Sequence, residues 1–338
     1  MYRMSHDIVI GGRRLRLLEK VVIKRSVENL ADTATITLPA YHLGHPVSLK
    51  NKKGRQDLPD DDPKGRDLIR PGGTVTIKLG YDGLPQGEFA GYIDDVTTTK
   101  DGIEIRCMDE LYIFKITPIP DTSLGKTTLK NILQYICHNA SPQLEIKCDY
   151  DIGYKDFVIR HSTAYDVLRQ IQEETKADIY FKGHTLHCHA PYAVVNHQTA
   201  KFDFARNIET YDLKYIRAED RPVEVEVTIR KPDGEPTKIT YGTTGAKKIS
   251  LRCTDDTTAT AQKLAKEQHG RLTATGYEGS ITGWLIPYVE PGMAVSLHDK
   301  DIPDRDGKYY VIATETTYSR SGGQRKITLG RRLNIEKK

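Results

Sequence analysis

The 338-residue sequence predicts a β-rich α+β protein: two related antiparallel β-barrels with a small α/β domain inserted between them. Three observations carry this prediction. Apolar and polar residues alternate over most of both ends, the period of a strand with one covered face. The middle changes to spacings of three and four, the period of amphipathic helices. Finally, Ile69–Ile77 and Val289–Leu297 resemble each other at an offset of 220, each opening on Pro-Gly (Pro71-Gly72 and Pro291-Gly292). Extended without a gap, that offset superposes Pro71, Gly72, Val75 and Gly87 on identical residues and carries Gly87-Glu88-Phe89 onto Gly307-Lys308-Tyr309. Turn, strand and following glycine thus share one spacing, as a duplicated unit would.

The first barrel is expected over residues 1–118. Asp7–Ile10, Val21–Ile23 and Ala34–Leu38 read as strands, with a Gly11-Gly12 turn between the first two and Pro39 stopping the third. Residues 41–72 hold seven basic and five acidic side chains, Pro59, Pro63, Gly54 and Gly65, and no apolar period. A polar excursion of that length is either a solvated loop or an arm that orders against a neighbour. Lys52, Lys53, Arg55, Asp61 and Arg66 are its candidate contacts with a second subunit or a tube. Strands resume at Thr74–Leu79, Glu88–Val96 and Ile103–Cys107, with hairpin turns at Tyr81-Asp82-Gly83 and Lys100-Asp101-Gly102.

The inserted domain spans 119–200. Leu129, Ile132, Leu133 and Ile136 predict a helix over 127–139 that starts at Thr127 or Thr128. Val167, Leu168 and Ile171 predict another over 162–175, capped by Ser162 or Thr163. A hairpin over 177–189 turns at Lys182-Gly183-His184. The second barrel is expected over 201–338, with strands at 210–216, 223–230 and 237–241, one helix near 257–269, the second Pro-Gly unit and a last strand at 324–330.

Charge is nearly balanced, with 50 basic and 46 acidic residues, so a protein that coats nucleic acid is not indicated. The five cysteines (Cys107, Cys137, Cys148, Cys188, Cys253) are dispersed and read as thiols kept in a reducing compartment. No long apolar run marks a signal peptide or a membrane span, and no membrane insertion is expected. Four histidines, His184, His187, His189 and His197, crowd around Cys188, but His187 and His189 share one strand face and Cys188 takes the other. One metal cannot take all three, so surface or interface histidines are expected. Leu124-Gly125-Lys126-Thr127 looks like the end of a phosphate loop, yet Pro120 stands where that loop needs glycine. The carboxylate pairs Asp94-Asp95 and Asp255-Asp256 fit a solvated strand and a helix start. No catalytic site, cofactor or metal is expected.

Several of these stretches together resemble a known family. Lys24–Leu38, Pro71–Ile77 with Phe89–Asp95, and Gly307–Val311 with Arg325–Gly330 are similar to the contractile-phage baseplate hub proteins. That family includes the late control gene D proteins, Mu-like tail proteins and the hub half of type VI secretion spike proteins. The resemblance covers nearly the whole chain in order, through short turns and strands without an invariant chemical group. It implies tail-tube-like barrels and a homotrimer whose pseudo-sixfold ring joins a sixfold tail tube to a threefold spike. The implied partners are tail tube proteins, a separate spike protein (no needle follows within this sequence), other baseplate proteins, and DNA or an effector crossing the lumen without sequence-specific binding. The implied location is the baseplate of a virion tail or an injection particle, with synthesis in the bacterial cytoplasm. Two other readings stay open: a peptidoglycan hydrolase using acidic residues or the His184–His197 segment, and a host-surface glycan-binding β protein using some of the nineteen tyrosines.

Overall fold

Alternation decides which side chains the strands bury. In Thr33–Pro39, Ala34, Ile36 and Leu38 are buried and the residues between them are half-exposed. The structure, a computed structural model, describes residues 3–15, 17–39, 49–50, 69–99, 102–150, 152–190, 198–229, 237–253, 258–273 and 275–333.

Fourteen strands join in one sheet, antiparallel except for one ladder. In the first part of the chain these are β1 (Met4–Ile10), β2 (Arg13–Leu15), β3 (Lys20–Ser26), β4 (Thr33–Pro39), β5 (Leu49–Lys50), β6 (Thr74–Tyr81), β7 (Leu84–Thr99) and β8 (Gly102–Met108). A separate middle sheet contains β9 (Glu145–Cys148), β10 (Asp178–Lys182) and β11 (Thr185–His189). The large sheet takes up again with β12 (Thr199–Asp203) and β13 (Ile208–Ile216). Next come β14 (Val223–Ile229), β15 (Thr237–Gly242) and β16 (Lys247–Cys253), then β17 (Gly276–Trp284), β18 (Ala294–His298), β19 (Gly307–Ser319) and β20 (Gly322–Arg332). Across the large sheet the order is β13-β17-β20-β19-β3-β4-β8-β7-β6-β1-β2-β5, with β12 parallel to β18 and β18 antiparallel to β19.

One long strand makes this sheet continuous. The start of β19, Gly307–Tyr310, pairs with β18, and its end, Ala313–Ser319, pairs with β3. β7 is divided the same way, pairing with β6 up to Tyr92 and with β8 from Tyr92 onward. The hairpin turn between β6 and β7 falls where expected, with Asp82 and Gly83 both at positive φ (52° and 77°). Two such residues give the twist that a two-residue hairpin needs.

The two Pro-Gly units are built alike. Gly72 N donates to Ile93 O at 2.8 Å and Ile93 N donates to Gly73 O at 2.8 Å. Gly292 N donates to Val311 O at 2.9 Å and Val311 N donates to Met293 O at 2.9 Å. Gly72 and Gly292 share φ +83°, and one residue past Ile93 and past Val311 the ladder bulges. The turn keeps the offset of 220, but Ile93 and Val311 stand 218 apart, so Gly87 and Gly307 are not equivalent positions. A bulge at Glu88, between the pairs Ile77–Phe89 and Lys78–Gly87, shifts the register.

Between these units lie two smaller bodies. In the first, α2 (Leu129–Ala140) and α3 (Ala164–Thr175) share an apolar core with β9, β10 and β11. Thr128 caps α2, its side chain accepting from Asn131 N at 3.3 Å. Thr163 and Asp166 form a capping box on α3. A short helix, α1 (Leu111–Ile116), leads into this body and contributes Leu111 and Phe114. In the second, β14 pairs with β15 and β16 and packs under α4 (Thr258–Leu272), around Val225, Val227, Leu251, Ala261 and Ala265. The sequence places strands 223–230 and 237–241 in the second barrel; in the structure they pair with each other and with β16, apart from the large sheet. No helix among the described residues is long and apolar enough to cross a membrane.

Candidate assembly interface and the buried seam behind it

Charged residues on the inward parity of several strands meet at one place. Arg25 follows Val21 and Ile23 on the covered face of β3, and Arg325 precedes Ile327 and Leu329 on that of β20. Arg325 is 1% exposed and its Nη2 donates to Glu88, also buried, from the bulge of β7. Its Nη1 donates to Leu285 O at 3.1 Å, its Nε to Thr316 Oγ1 at 3.2 Å, and its guanidinium lies 4.8 Å from the Tyr288 ring centre. Tyr288 hydroxyl accepts from Arg25 Nη1 at 3.1 Å and donates to Glu290 Oε2 at 3.3 Å. Arg25 Nε donates to Asp32 Oδ2 at 2.9 Å, and Lys182 of β10 donates to Glu290.

Three cations and three carboxylates therefore form one seam, tying the first strand set, the second set and the middle body together. Lys182 is exposed, but the other charges are buried or nearly so and depend on their partners. Burial opposes the charge on Arg25, but Asp32, Tyr288 and Glu290 hold its proton more firmly than usual. Burial also pulls Glu290 upward, yet the Lys182 and Arg25 contacts win and keep it below its ordinary value. Burial pushes Glu88 up despite Arg325. Asp109 accepts from Asp32 N at 2.9 Å and from Leu111 N at 3.0 Å; burial, with the Asp32 carboxylate beside it, pushes it well above the usual range. A cleft of about 460 Å³ lined by Arg25, Asp32, Glu88, Asp109, Tyr288 and Glu290 opens along the seam.

The histidine segment adjoins it. His187 and His189 are both buried, 3.3 Å apart between Nδ1 and Nε2, and the His187 ring stacks on Tyr180. His187 borders a cleft of about 780 Å³ with Lys147, Lys182, Glu290 and Pro291. Cys188 points into the helix core instead. Exposed His184 contacts Glu110 at 3.2 Å, and His197 lies outside the described residues. Among the described residues no group of three or more His, Cys, Asp or Glu is placed to hold a metal.

Burial pushes His187 down to about 4 and lowers His189 as well. Unfolded histidine takes a proton near pH 6.5, which folded His187 refuses until about pH 4. Its stabilisation is thus complete above about 6.5 and is lost as pH falls toward about 4. Urea midpoints should fall through that window, and His187→Phe, which keeps the ring stack on Tyr180, should flatten the fall. An unchanged acid slope in this variant would show that another group carries it.

The other sequence candidates have ordinary places. Gly125 turns at φ +56° ahead of the cap on α2. Asp94 contacts Lys115 at 3.3 Å and Asp95 accepts from Thr97 at 3.0 Å. Asp255 and Asp256 lie outside the described residues, as do Lys52, Lys53, Arg55, Asp61 and Arg66.

At both ends of the large sheet, strands are left with an edge that is unpaired or only partly paired among the described residues. β13 pairs only with β17 among the described strands, and Tyr211 (52%) and Tyr215 (48%) are exposed on it. Arg305, held by Asp299 at 2.9 Å, braces Tyr211 from 4.9 Å. At the other end, β1 is paired along its full length to β6, but β2 covers only Val9 and Ile10 on its outer side. Open edges of this kind are templates for another strand.

By sequence the chain matches no protein-family model and none of the curated proteins. Solved structures do match it over nearly its full length. The tail protein from Neisseria meningitidis MC58 is 18% identical with a TM-score of 0.70, covering 98% of this chain and 97% of that one. The 43 kDa tail protein of prophage MuSo2 from Shewanella oneidensis is 15% identical with a TM-score of 0.69, covering 97% and 98%. The E. coli c3393 protein, a type VI secretion component similar to the T4 tail proteins gp27 and gp5, is 9% identical with a TM-score of 0.59, covering 97% and 79%.

Proposed function

From the premise that the chain has the fold of phage tail proteins, as the resemblance in its sequence implied, we propose that it is the structural baseplate hub of a phage tail or a related contractile injection particle. In this reading residues 1–118 and 201–338 each carry a tube-like barrel, with 119–200 between them. Three chains close a pseudo-sixfold ring that receives the tail tube on one side and a spike on the other. The observation that carries the reading is the Pro-Gly turn with its paired hydrogen bonds and following bulge, made twice in one chain. A trimer of such chains repeats the motif six times. The open edges of β13 and β1 supply surfaces for closure, and residues 41–72 act as the arm toward the next ring. The role is mechanical and not enzymatic, with cargo passing unread through the lumen. The protein would be made in the bacterial cytoplasm and act within the particle.

Negative-stain class averages of the purified chain, alone and with its spike, should show threefold rings with an open centre. Monomers under both conditions would overturn the hub assignment. Thr210→Asp combined with Tyr215→Asp puts like charges on the exposed β13 edge. Sedimentation should then find monomers whose melting temperature matches the parent; rings that persist would remove β13 from the interface.

A further inference from the structure

Four cysteines have described side chains, and two of them face each other. Cys148 ends β9 and Cys188 lies on β11, and they are direct partners in the parallel ladder. Register partners in neighbouring strands have their α-carbons about 4.8 Å apart, inside the ~4.4–6.8 Å window of a disulfide. Both side chains lie on the face that packs on the helices, with Ile146 and Leu186 one step back along their strands. The two thiols sit side by side at that register, and Cys148 donates to Tyr150 O at 3.6 Å. Cys148 is half-exposed, whereas Cys188 is fully buried.

We propose that Cys148 and Cys188 form a redox site in which low-molecular-weight disulfides close a cross-strand disulfide between β9 and β11. Cys148 is the entry point because it alone of the pair reaches solvent. Its thiolate attacks one sulfur of the small disulfide; that S–S bond breaks, one small thiolate leaves, and Cys148 carries a mixed disulfide. Cys188, already in contact, attacks the Cys148 sulfur and expels the second small thiolate. The Cys188 proton ends on a leaving thiolate. Two protein thiols lose two electrons in total, and the small disulfide is reduced to two thiols.

The other thiols differ in ways that single out this pair. Cys107 and Cys137 are buried, and burial pushes each up to about 12. Cys148 moves the opposite way, down to about 7, chiefly because of the Cys188 thiol beside it. That shift favours thiolate near neutrality on the sulfur that, among the four described thiols, solvent can reach. The bond would staple a four-residue edge strand to its neighbour, so the middle body would stiffen when the chain passes from a reducing to an oxidising medium.

The test incubates the full chain in oxidised and then reduced glutathione, with rapid alkylation, digestion and mass spectrometry. The expected product is one cross-linked peptide pair joining Cys148 to Cys188, reversed by dithiothreitol, with Cys107 and Cys137 still alkylatable. The oxidised chain should melt several degrees higher than the reduced one. Cys148→Ser should abolish both the cross-link and the shift, and Cys188→Ser should stop at glutathionylated Cys148. A parent chain that stops at glutathionylated Cys148, or whose two thiols both stay free, would overturn the proposal.

Discussion

Arg325→Ala should destabilise the protein by about 3–5 kcal/mol, because it strands the Glu88 carboxylate without its partner in a buried site. The side chains of this pair are 1% and 3% exposed, so solvent cannot replace the lost contact. The same change frees Leu285 O and Thr316 Oγ1 and removes the cation from the Tyr288 ring. Urea unfolding of the single variants and of Arg325→Met with Glu88→Leu separates two meanings of the pair. If the charges only lock the seam, the apolar double variant should recover most of the loss. A single-variant loss below about 1 kcal/mol, the range of exposed pairs, would show that the seam does not hold the two strand sets together.

Gly279→Ala should be nearly as damaging, by about 3 kcal/mol, and its effect should reach assembly. Gly279 sits in β17 between Leu213 of β13 and Leu329 of β20, at φ +132°. An added Cβ would lie 2.0 Å from Asp212 O, backbone that can yield only if β13 moves. The outermost strand would then shift from the position at which it could meet another copy. Gly87→Ala is the matched control, since nothing lies within 4 Å of its Cβ and its φ is ordinary. Unfolding midpoints and ring counts for the two variants should diverge sharply; similar behaviour would mean that β13 tolerates displacement.

Much of the local structure was legible because its causes are local. Thr128 and Thr163 cap their helices because a side-chain oxygen meets a backbone N–H three residues on. Asp82-Gly83 turns because both residues tolerate positive φ. The offset of 220 exposed the repeated turn, but not the longer connection, Lys78–Glu88 with its bulge against His298–Asp306, that moves the following strand to 218. A bulge leaves no fixed sequence mark. The charged seam had a faint signal: Arg25 and Arg325 occupy the parity of Val21, Ile23, Ile327 and Leu329. Parity says that a charge faces inward without saying what meets it.

The sequence by itself determined the strand and helix periods, the caps, the tight turns and the likeness to tail proteins. Tertiary structure alone decided that β14, β15 and β16 leave the large sheet for one of their own, that β19 joins β3, and that Glu88 meets Arg325 across 237 residues. The reason is physical. A strand's alternation fixes which face it buries, but its edges carry the same N–H and C=O groups whatever the sequence, so the choice of neighbour falls to the packing of the whole chain.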